Sequence, residues 1–377
     1  MNTHQNIKKV RLSGYKSIKQ LSCEFNPGLN IIIGDNGSGK SNFFEFIENC
    51  FFQNYEMMGD FSAEIDMIGG HRTSNKLHSL TWKSEFIESK DNIRKSKERV
   101  VTNVEDYLDA EPGLAISYIH FKIPVGISVL GKELNVKYSV GKHEFNGEST
   151  LNLVPQYLWF ALMDLFPTMV LSKLEELNEV IFSQLNDFFN KISESFRKNV
   201  IRFSPVEDIR LSNAFRIAKI SSDTYELRNI VLEYMVNGDW FSWDALSDGT
   251  KRVIYIISET VGEADLHSIG VPEVDDLIIL LEEPEIGVHP HQLHLLIQYL
   301  RERSEFSQIF ITTHSPQVLD MLSGEELDKI IIAEISQIEG TIFRHLTKEE
   351  NKKARLFLKD EGLLSDYWRF SDFQRTE

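Results

Sequence analysis

The sequence predicts an α/β fold with a parallel sheet, and three observations carry that prediction. The apolar run Leu29 to Ile33 leads directly into the glycine-rich stretch Gly34-Asp35-Asn36-Gly37-Ser38-Gly39-Lys40-Ser41, and a helical pattern (Phe43, Phe44, Ile47) follows. A second apolar run, Leu277 to Leu281, ends in Glu282-Glu283-Pro284-Glu285. A third, Gln308 to Thr312, ends in Thr313-His314-Ser315-Pro316, with a helix between the two that starts at Pro290 and runs to about Arg303. Strand, helix, strand in this order makes parallel units that collect ligand groups at strand ends.

The elements follow from the N-terminus. Alternation of Ile7, Val10 and Leu12, then Leu21, Cys23 and Phe25, predicts two strands joined by a turn at Gly14 to Ser17. A helix should run from Lys40 to about Asn54. From about Leu80 to Val140 the pattern reads as strands and loops, including Ala115 to Ile123 and Leu134 to Val140. Between Leu174 and Phe196, apolar residues recur at spacings of three and four, which predicts one amphipathic helix, either packed on its own domain or half of a short coiled coil. Pro167 interrupts the pattern before it and the Pro205 region ends it. Tyr225 to Met235 and Trp240 to Trp243 flank Asn237-Gly238, a type I′ hairpin signal. A helical pattern through Val253, Ile254, Ile257 and Val261 comes next. After His314 the chain reads as two strands, Lys329 to Ala333 and Thr341 to His345, a helix and an aromatic tail.

Chemistry concentrates at the strand ends. Residues 34 to 41 form a complete phosphate-binding loop: glycines let backbone N–H groups turn toward phosphates, Lys40 can reach the β- and γ-phosphates, and Ser41 can sit on Mg²⁺. Gly34, Asn36, Gly37, Ser38, Gly39, Lys40, Ser41 and Asn42 are therefore the candidate nucleotide-binding residues. Paired carboxylates after an apolar strand suit metal-assisted phosphoryl transfer, with Glu282 holding Mg²⁺ and Glu283 orienting or deprotonating the attacking water. Asp is usual where Glu282 stands, which lengthens the reach to the metal by one methylene. His314 could approach the γ-phosphate from the next strand.

Composition bounds the function. With 377 residues and 42% hydrophobic content there is material for a sizeable core. There is no apolar run of bilayer length and no signal-peptide core at residues 1–6, so a cytoplasmic protein without a membrane partner is expected. Cys23 and Cys50, the only cysteines, cannot build a disulfide scaffold. A net charge of −17 disfavours general adhesion to nucleic acid. Two stretches are nonetheless locally basic: Arg72 to Arg99, with eight basic against four acidic residues, and Asp187 to Lys219, with seven against four. Each is a solvated surface or a contact for DNA or RNA.

Four motifs in order, Gly34 to Ser41, Leu246-Ser247-Asp248-Gly249-Thr250, Leu281-Glu282-Glu283-Pro284-Glu285 with Val288-His289-Pro290, and Thr313-His314-Ser315-Pro316-Gln317, resemble the ABC-type ATPase heads of the RecF, SMC and OLD-like group. They cover about half the chain. The resemblance implies an α/β head with a mixed sheet, interrupted by an α+β insertion with a long helix. The implied parts are residues 1–60 and 225–345 for the head, 61–224 for the insertion, and 346–377 for a C-terminal helix and tail. It further implies that Ser247 and Gly249 bind the γ-phosphate of ATP held by a second copy, so that two chains close head to tail as a homodimer or higher even oligomer. Asp248 departs from the usual Gly and is expected to point away and cap the following helix.

Too few positions separate Lys40 from Leu246 for a long coiled-coil arm, and too few follow His314 for an appended nuclease. The chain thus resembles the stand-alone AAA-type ATPase subunits of Septu, PARIS and retron anti-phage systems, which implies a separately encoded effector, a nuclease or toxin. The alternative is a RecF-like repair ATPase that binds DNA through its closed dimer. A glutamine loop is not evident, Gln53 and Gln156 being the nearest candidates. The histidines His289, His291 and His294 read as the start of a helix at Pro290 rather than as a zinc site.

Overall fold

The computed structural model describes residues 4–55, 58–69, 77–87, 97–110, 114–119, 134–139, 144–146, 182–183, 186–187, 190, 193–221, 224–267, 276–359 and 362–370. In chain order the strands begin with β1 (Asn6–Tyr15), β2 (Ile18–Glu24), β3 (Leu29–Ile33), β4 (Ser62–Ile68), β5 (Leu77–Ile87), β6 (Lys97–Thr102) and β7 (Leu114–Ile119). They continue with β8 (Leu134–Ser139), β9 (Glu144–Asn146), β10 (Asp208–Leu211), β11 (Arg216–Lys219), β12 (Thr224–Ile230), β13 (Leu232–Val236) and β14 (Asp239–Ser242). The last four are β15 (Asp276–Glu282), β16 (Gln308–Thr313), β17 (Ile330–Ser336) and β18 (Gly340–His345). The helices are α1 (Lys40–Phe51), α2 (Val104–Ala110), α3 (Glu194–Phe203), α4 (Asp248–His267), α5 (Pro290–Arg303), α6 (Pro316–Asp320), α7 (Lys348–Lys359) and α8 (Leu364–Phe370).

Packing divides the chain into two units: residues 1–121, 274–286 and 297–377 in one, 122–273 and 287–296 in the other. The first is built on an eleven-stranded sheet in the order β6-β5-β4-β1-β2-β18-β17-β3-β16-β15-β7. From β17 to β7 neighbouring strands run parallel, whereas β18 and the strands beyond it pair antiparallel. The mixed sheet is thus a parallel segment that carries the strand-end motifs, extended by an antiparallel meander. Strands β4 to β7, in the stretch read as insertion, belong to this same sheet, so the division by packing differs from the division by motif at residue 60.

Sequence explains the centre of this unit. Strand β3 is buried at all five positions, as a strand covered on both faces must be. Helix α1 turns Phe43, Phe44, Phe46, Ile47 and Cys50 inward. Phe43 meets Phe343 of β18 at 5.0 Å between centroids and Phe25 at 5.6 Å, and Phe25 meets Phe310 of β16 at 5.1 Å. Removing one such ring costs about 3–5 kcal/mol, so this cluster fixes α1, and with it the preceding loop, against the sheet.

The second unit holds the sheets β10-β13-β14 and β11-β12-β8-β9. Asn237 (φ 52°) and Gly238 (φ 80°) both take the left-handed conformation that a type I′ turn needs, and β13 pairs with β14 across them. The segment Tyr225 to Met235, expected as one strand, is two: β12 and β13 break at Val231 and pair in different sheets. Most of the helix expected over Leu174 to Phe196 lies outside the described residues. The last expected residues, Glu194 to Phe196, open α3, which starts after an N-cap at Ser193 and runs to Phe203, two residues before Pro205. Among the described residues no helix is long and apolar enough to cross a membrane.

Candidate functional site

The loop after β3 is shaped by its glycines. A Cβ on Gly34 would lie 2.1 Å from the Ala333 carbonyl oxygen of β17, so only glycine permits the chain to leave the sheet so closely. Gly37 (φ 85°) and Gly39 (φ 91°) are left-handed, and Gly39 is the N-cap of α1. Helix α1 has no acidic residue in its first turn, which keeps its positive end suited to an anion. The Lys40 ammonium curls back over the loop, donating to the Gly34 carbonyl (2.7 Å) and the Asp35 carbonyl (2.9 Å), with Ser38 Oγ at 3.4 Å. Burial lowers the pKa of Lys40, while the carboxylates of Glu283, Asp35, Glu282 and Glu285 act against that shift. Asn42 reaches sideways, its amide donating to Ser17 Oγ at 2.9 Å. Ser17 Oγ is in turn 2.9 Å from Thr341 Oγ1, a polar strut from the β1–β2 turn to β18 beside the loop.

Two neighbouring strands bring the other side chains. β3 pairs with β16, and β16 with β15, all parallel, so Ile33, Thr313 and Glu282 end at the same edge. Ser41 Oγ donates to Glu282 Oε1, and Glu282 is 4% exposed. The extra methylene of Glu282 is therefore accommodated by direct contact with the hydroxyl at the start of α1. A hydroxyl and a carboxylate side by side are hard oxygen donors of the kind Mg²⁺ takes, when substrate phosphates and water supply its remaining positions. Ser41 and Glu282 thus fit that ion.

Glu283 sits at φ 46°, one of the few non-glycine residues in the left-handed region. Such a conformation costs on the order of 1–3 kcal/mol and persists where its surroundings enforce it. Here its N–H donates to the Thr312 carbonyl (2.8 Å), and its carbonyl accepts from Ile286 N–H at 3.3 Å. The turn aims its carboxylate at the loop after β16, where Glu283 Oε1 lies 3.1 Å from His314 Nδ1. Both side chains are partly open to solvent, at 25% and 41% exposure. Lys40, Ser41, Glu282, Glu283 and His314 are therefore gathered within one packing unit at adjacent strand ends.

Glu285, quoted in its motif but given no role, belongs to the same place. Its Oε1 accepts from Thr313 Oγ1 at 2.5 Å, and its Oε2 is buried without a hydrogen-bond partner. The sequence signal was present as a third carboxylate two positions past Glu283 and a Thr-Thr pair ahead of His314.

Ser247 and Gly249 lie in the other unit, at the start of α4. Ser247 Oγ accepts from Thr250 N–H (3.2 Å) and is 2.8 Å from Thr250 Oγ1, which Gln292 Nε2 approaches at 3.4 Å. Gly249 is required within its own chain, since a Cβ would meet the Gly287 carbonyl at 2.6 Å. The cap expected from Asp248 is made by Ser247 instead. Asp248 points outward, 99% exposed with Lys251 at 3.8 Å, because a helix N-cap is the residue before the first turn and Asp248 is already inside it. Pro290 opens α5 as expected, with His289 Nδ1 accepting from His291 N–H at 3.3 Å. Gln53 follows α1, exposed and left-handed (φ 57°), and Gln156 lies outside the described residues.

A family model described as "AAA domain, putative AbiEii toxin, Type IV TA system" matches residues 71–320, well over half of the chain. The phosphate loop precedes the matched stretch. The chain is similar to the Septu protein PtuA of Bacillus thuringiensis, 23% identical over 344 residues that cover 88% of this chain and 77% of that protein. It is similar also to a "Retron Vc95 probable ATPase" of Vibrio cholerae serotype O1 biovar El Tor, 24% identical over 396 residues, covering 88% of this chain and 74% of that one. In fold it matches the Smc head domain with a coiled coil and joint from Pyrococcus yayanosii, with a TM-score of 0.53 and 12% identity over 94% of this chain and all of that one. The chain belongs to this AAA-domain family, it is an ATPase, and its fold is that of an SMC-type ABC-ATPase head.

Proposed function

We propose that this ATPase closes head to tail around ATP as a dimer and thereby controls a separately encoded effector, a nuclease or toxin, in the cytoplasmic defence of bacteria against phages. The observation that carries the reading is the convergence of a phosphate loop, the Ser41–Glu282 pair and the Glu283–His314 pair at neighbouring strand ends. The likeness to a Septu protein and a retron ATPase supports the defence setting, and the likeness in fold to an SMC head supports a dimer of heads.

In this reading the amides of residues 34 to 41 and the Lys40 ammonium bind the triphosphate, and Asn42 braces the loop from behind. Ser41 and Glu282 hold Mg²⁺, which supplies neutralisation of charge on the β- and γ-phosphate oxygens. Glu283 accepts a proton from water as the water oxygen bonds to the γ-phosphorus and the bond to the bridging oxygen of ADP breaks. His314 orients the Glu283 carboxylate through their hydrogen bond. Ser247 and Gly249 of one copy present backbone N–H groups at the start of α4 to the γ-phosphate held by the other.

The test is a Glu283→Gln protein with Mg-ATP, followed by light scattering after size exclusion. The reading expects turnover to fall by about 10²- to 10⁴-fold while ATP binding survives and a dimer accumulates. A strictly monomeric, ATP-saturated Glu283→Gln protein sinks the dimer. Co-purification with the products of neighbouring genes tests the effector. Severalfold stimulation of turnover by duplex DNA would instead favour the RecF-like alternative.

A further inference from the structure

We propose that Glu285 is a positioning residue that clasps the loop carrying His314 to the turn carrying Glu283, through the Thr313 hydroxyl. This rests on the reading of Glu283 and His314 as the hydrolytic pair. Three contacts tie the two loops together. Glu283 N–H donates to the Thr312 carbonyl at 2.8 Å, Thr313 Oγ1 donates to Glu285 Oε1 at 2.5 Å, and His314 Nδ1 lies 3.1 Å from Glu283 Oε1. Only the second is independent of Glu283 itself. Thr313 Oγ1 also accepts from Ser315 N–H at 2.9 Å, so a single hydroxyl fixes the backbone on the far side of His314 while it grips Glu285. His314 is 41% exposed, so its ring is not enclosed as a core side chain's is. The clasp therefore supplies the constraint that the imidazole lacks.

Glu285 acts here as a hydrogen-bond acceptor. Its Oε2 is buried and unpartnered, a costly environment for a full carboxylate. Burial raises its pKa, the Thr313 hydrogen bond, a backbone hydrogen bond and His314 oppose the rise, and Glu283 adds to it. An amide oxygen accepts from the Thr313 hydroxyl as a carboxyl oxygen does, so Glu285→Gln keeps the clasp, whereas Glu285→Ala removes it. Thr313→Val and Thr313→Ser make the same pair from the other side.

The experiment measures steady-state ATP turnover and Mg-ATP affinity for these four variants, the Glu285→Ala/Thr313→Val double variant, Glu283→Gln and the wild type, with thermal melts for each. Misplacing a catalytic pair slows chemistry more than it weakens binding, so Glu285→Ala and Thr313→Val should each lose about 10- to 100-fold in kcat with KM within about twofold. The Gln and Ser variants should stay within about threefold of wild type, and the double variant should lose no more than either single one. Should Glu285→Ala fail to fold, the Thr313→Val and Thr313→Ser pair carries the comparison. Wild-type kcat in Glu285→Ala or Thr313→Val, a loss confined to KM, or a Gln variant as impaired as Ala overturns the positioning role. If Glu283→Gln turns over at the wild-type rate, the hydrolytic pair falls and the clasp with it. If Glu283→Gln is inactive but Glu285→Ala is not, only the clasp falls.

Discussion

Gly39→Ala is expected to damage the phosphate loop far more than Gly37→Ala, although both glycines are left-handed, at φ 91° and 85°. The conformational penalty common to both is about 1–2 kcal/mol for an L-residue in that region. The surroundings differ. A Cβ at Gly37 meets nothing within 4 Å, whereas at Gly39 it would lie 2.1 Å from Thr341 Oγ1, 2.7 Å from Thr341 Cγ2 and 2.9 Å from Ser17 Oγ. The alanine methyl must therefore break the Ser17–Thr341 hydrogen bond, a further loss of about 1 kcal/mol or more. Together the Gly39 penalties come to about 2–4 kcal/mol. If the loop keeps its shape, that sum appears as lost stability. If it yields, it appears as ATP affinity weakened by more than about tenfold, since 1.4 kcal/mol is a factor of ten. Thermal unfolding midpoints and fluorescent ATP titrations of both variants measure the two terms. The Gly39→Ala/Thr341→Ala double variant should recover part of the loss, because it removes the two nearest atoms. Equal effects at Gly37 and Gly39, or no recovery in the double variant, would refute the argument from close approach.

Lys40→Ala should abolish measurable ATP binding while leaving the fold intact, because among the described residues the ammonium's hydrogen bonds go to loop carbonyls and Ser38, and a calorimetric titration checks it. Glu326 gives a separate pH signature. Burial pushes its carboxyl up, but Ser323 N–H, Arg301 and Lys329 together outweigh burial and hold it at about 2, below the ordinary 4.5. A depressed folded pKa contributes stability that is present above 4.5 and lost as pH falls toward about 2. Wild type should therefore be more stable than Glu326→Gln at pH 7, with the gap closing across that acid window in urea titrations. A gap that persists below it would show that the residue stabilises by some route other than its charge.

Three strands of the parallel segment were legible because each is a mostly apolar run followed by residues with unusual chemistry. Leu29 to Ile33, Leu277 to Leu281 and Gln308 to Thr312 became β3, β15 and β16, and Pro290 to Arg303 became α5. The Asn237-Gly238 turn was equally legible, since two successive left-handed residues demand those types. The antiparallel edge was not. Strands β4 and β5 alternate polar and apolar residues as any half-exposed strand does, and nothing local says that β4 pairs with β1, with β5 added beyond it, rather than both joining a separate sheet. The break between β12 and β13 was hidden because a strand can change sheets without a proline or glycine. At the site, residue types singled out Lys40, Ser41, Glu282, Glu283 and His314 as candidates, which the strands bring together, but not the Thr313–Glu285 contact, which needs the register of β15 on β16. The expected Asp248 cap failed for a simpler reason, although the side chain does point outward: one residue of helix register decides which side chain caps.

Strand β3 lies between β16 and β17, so the segment that launches the phosphate loop is flanked on both sides by chain synthesised some three hundred positions later. On the ribosome, Leu29 to Ile33 must wait with its buried apolar face unsheltered until Ile330 to Ser336 has emerged. Long-range closure of this kind is slow and leaves sticky intermediates. A truncated product ending before residue 330 would hold every residue of the nucleotide cradle in its sequence yet lack the neighbour on which that cradle rests, which ties ATP competence to the emergence of Ile330 to Ser336.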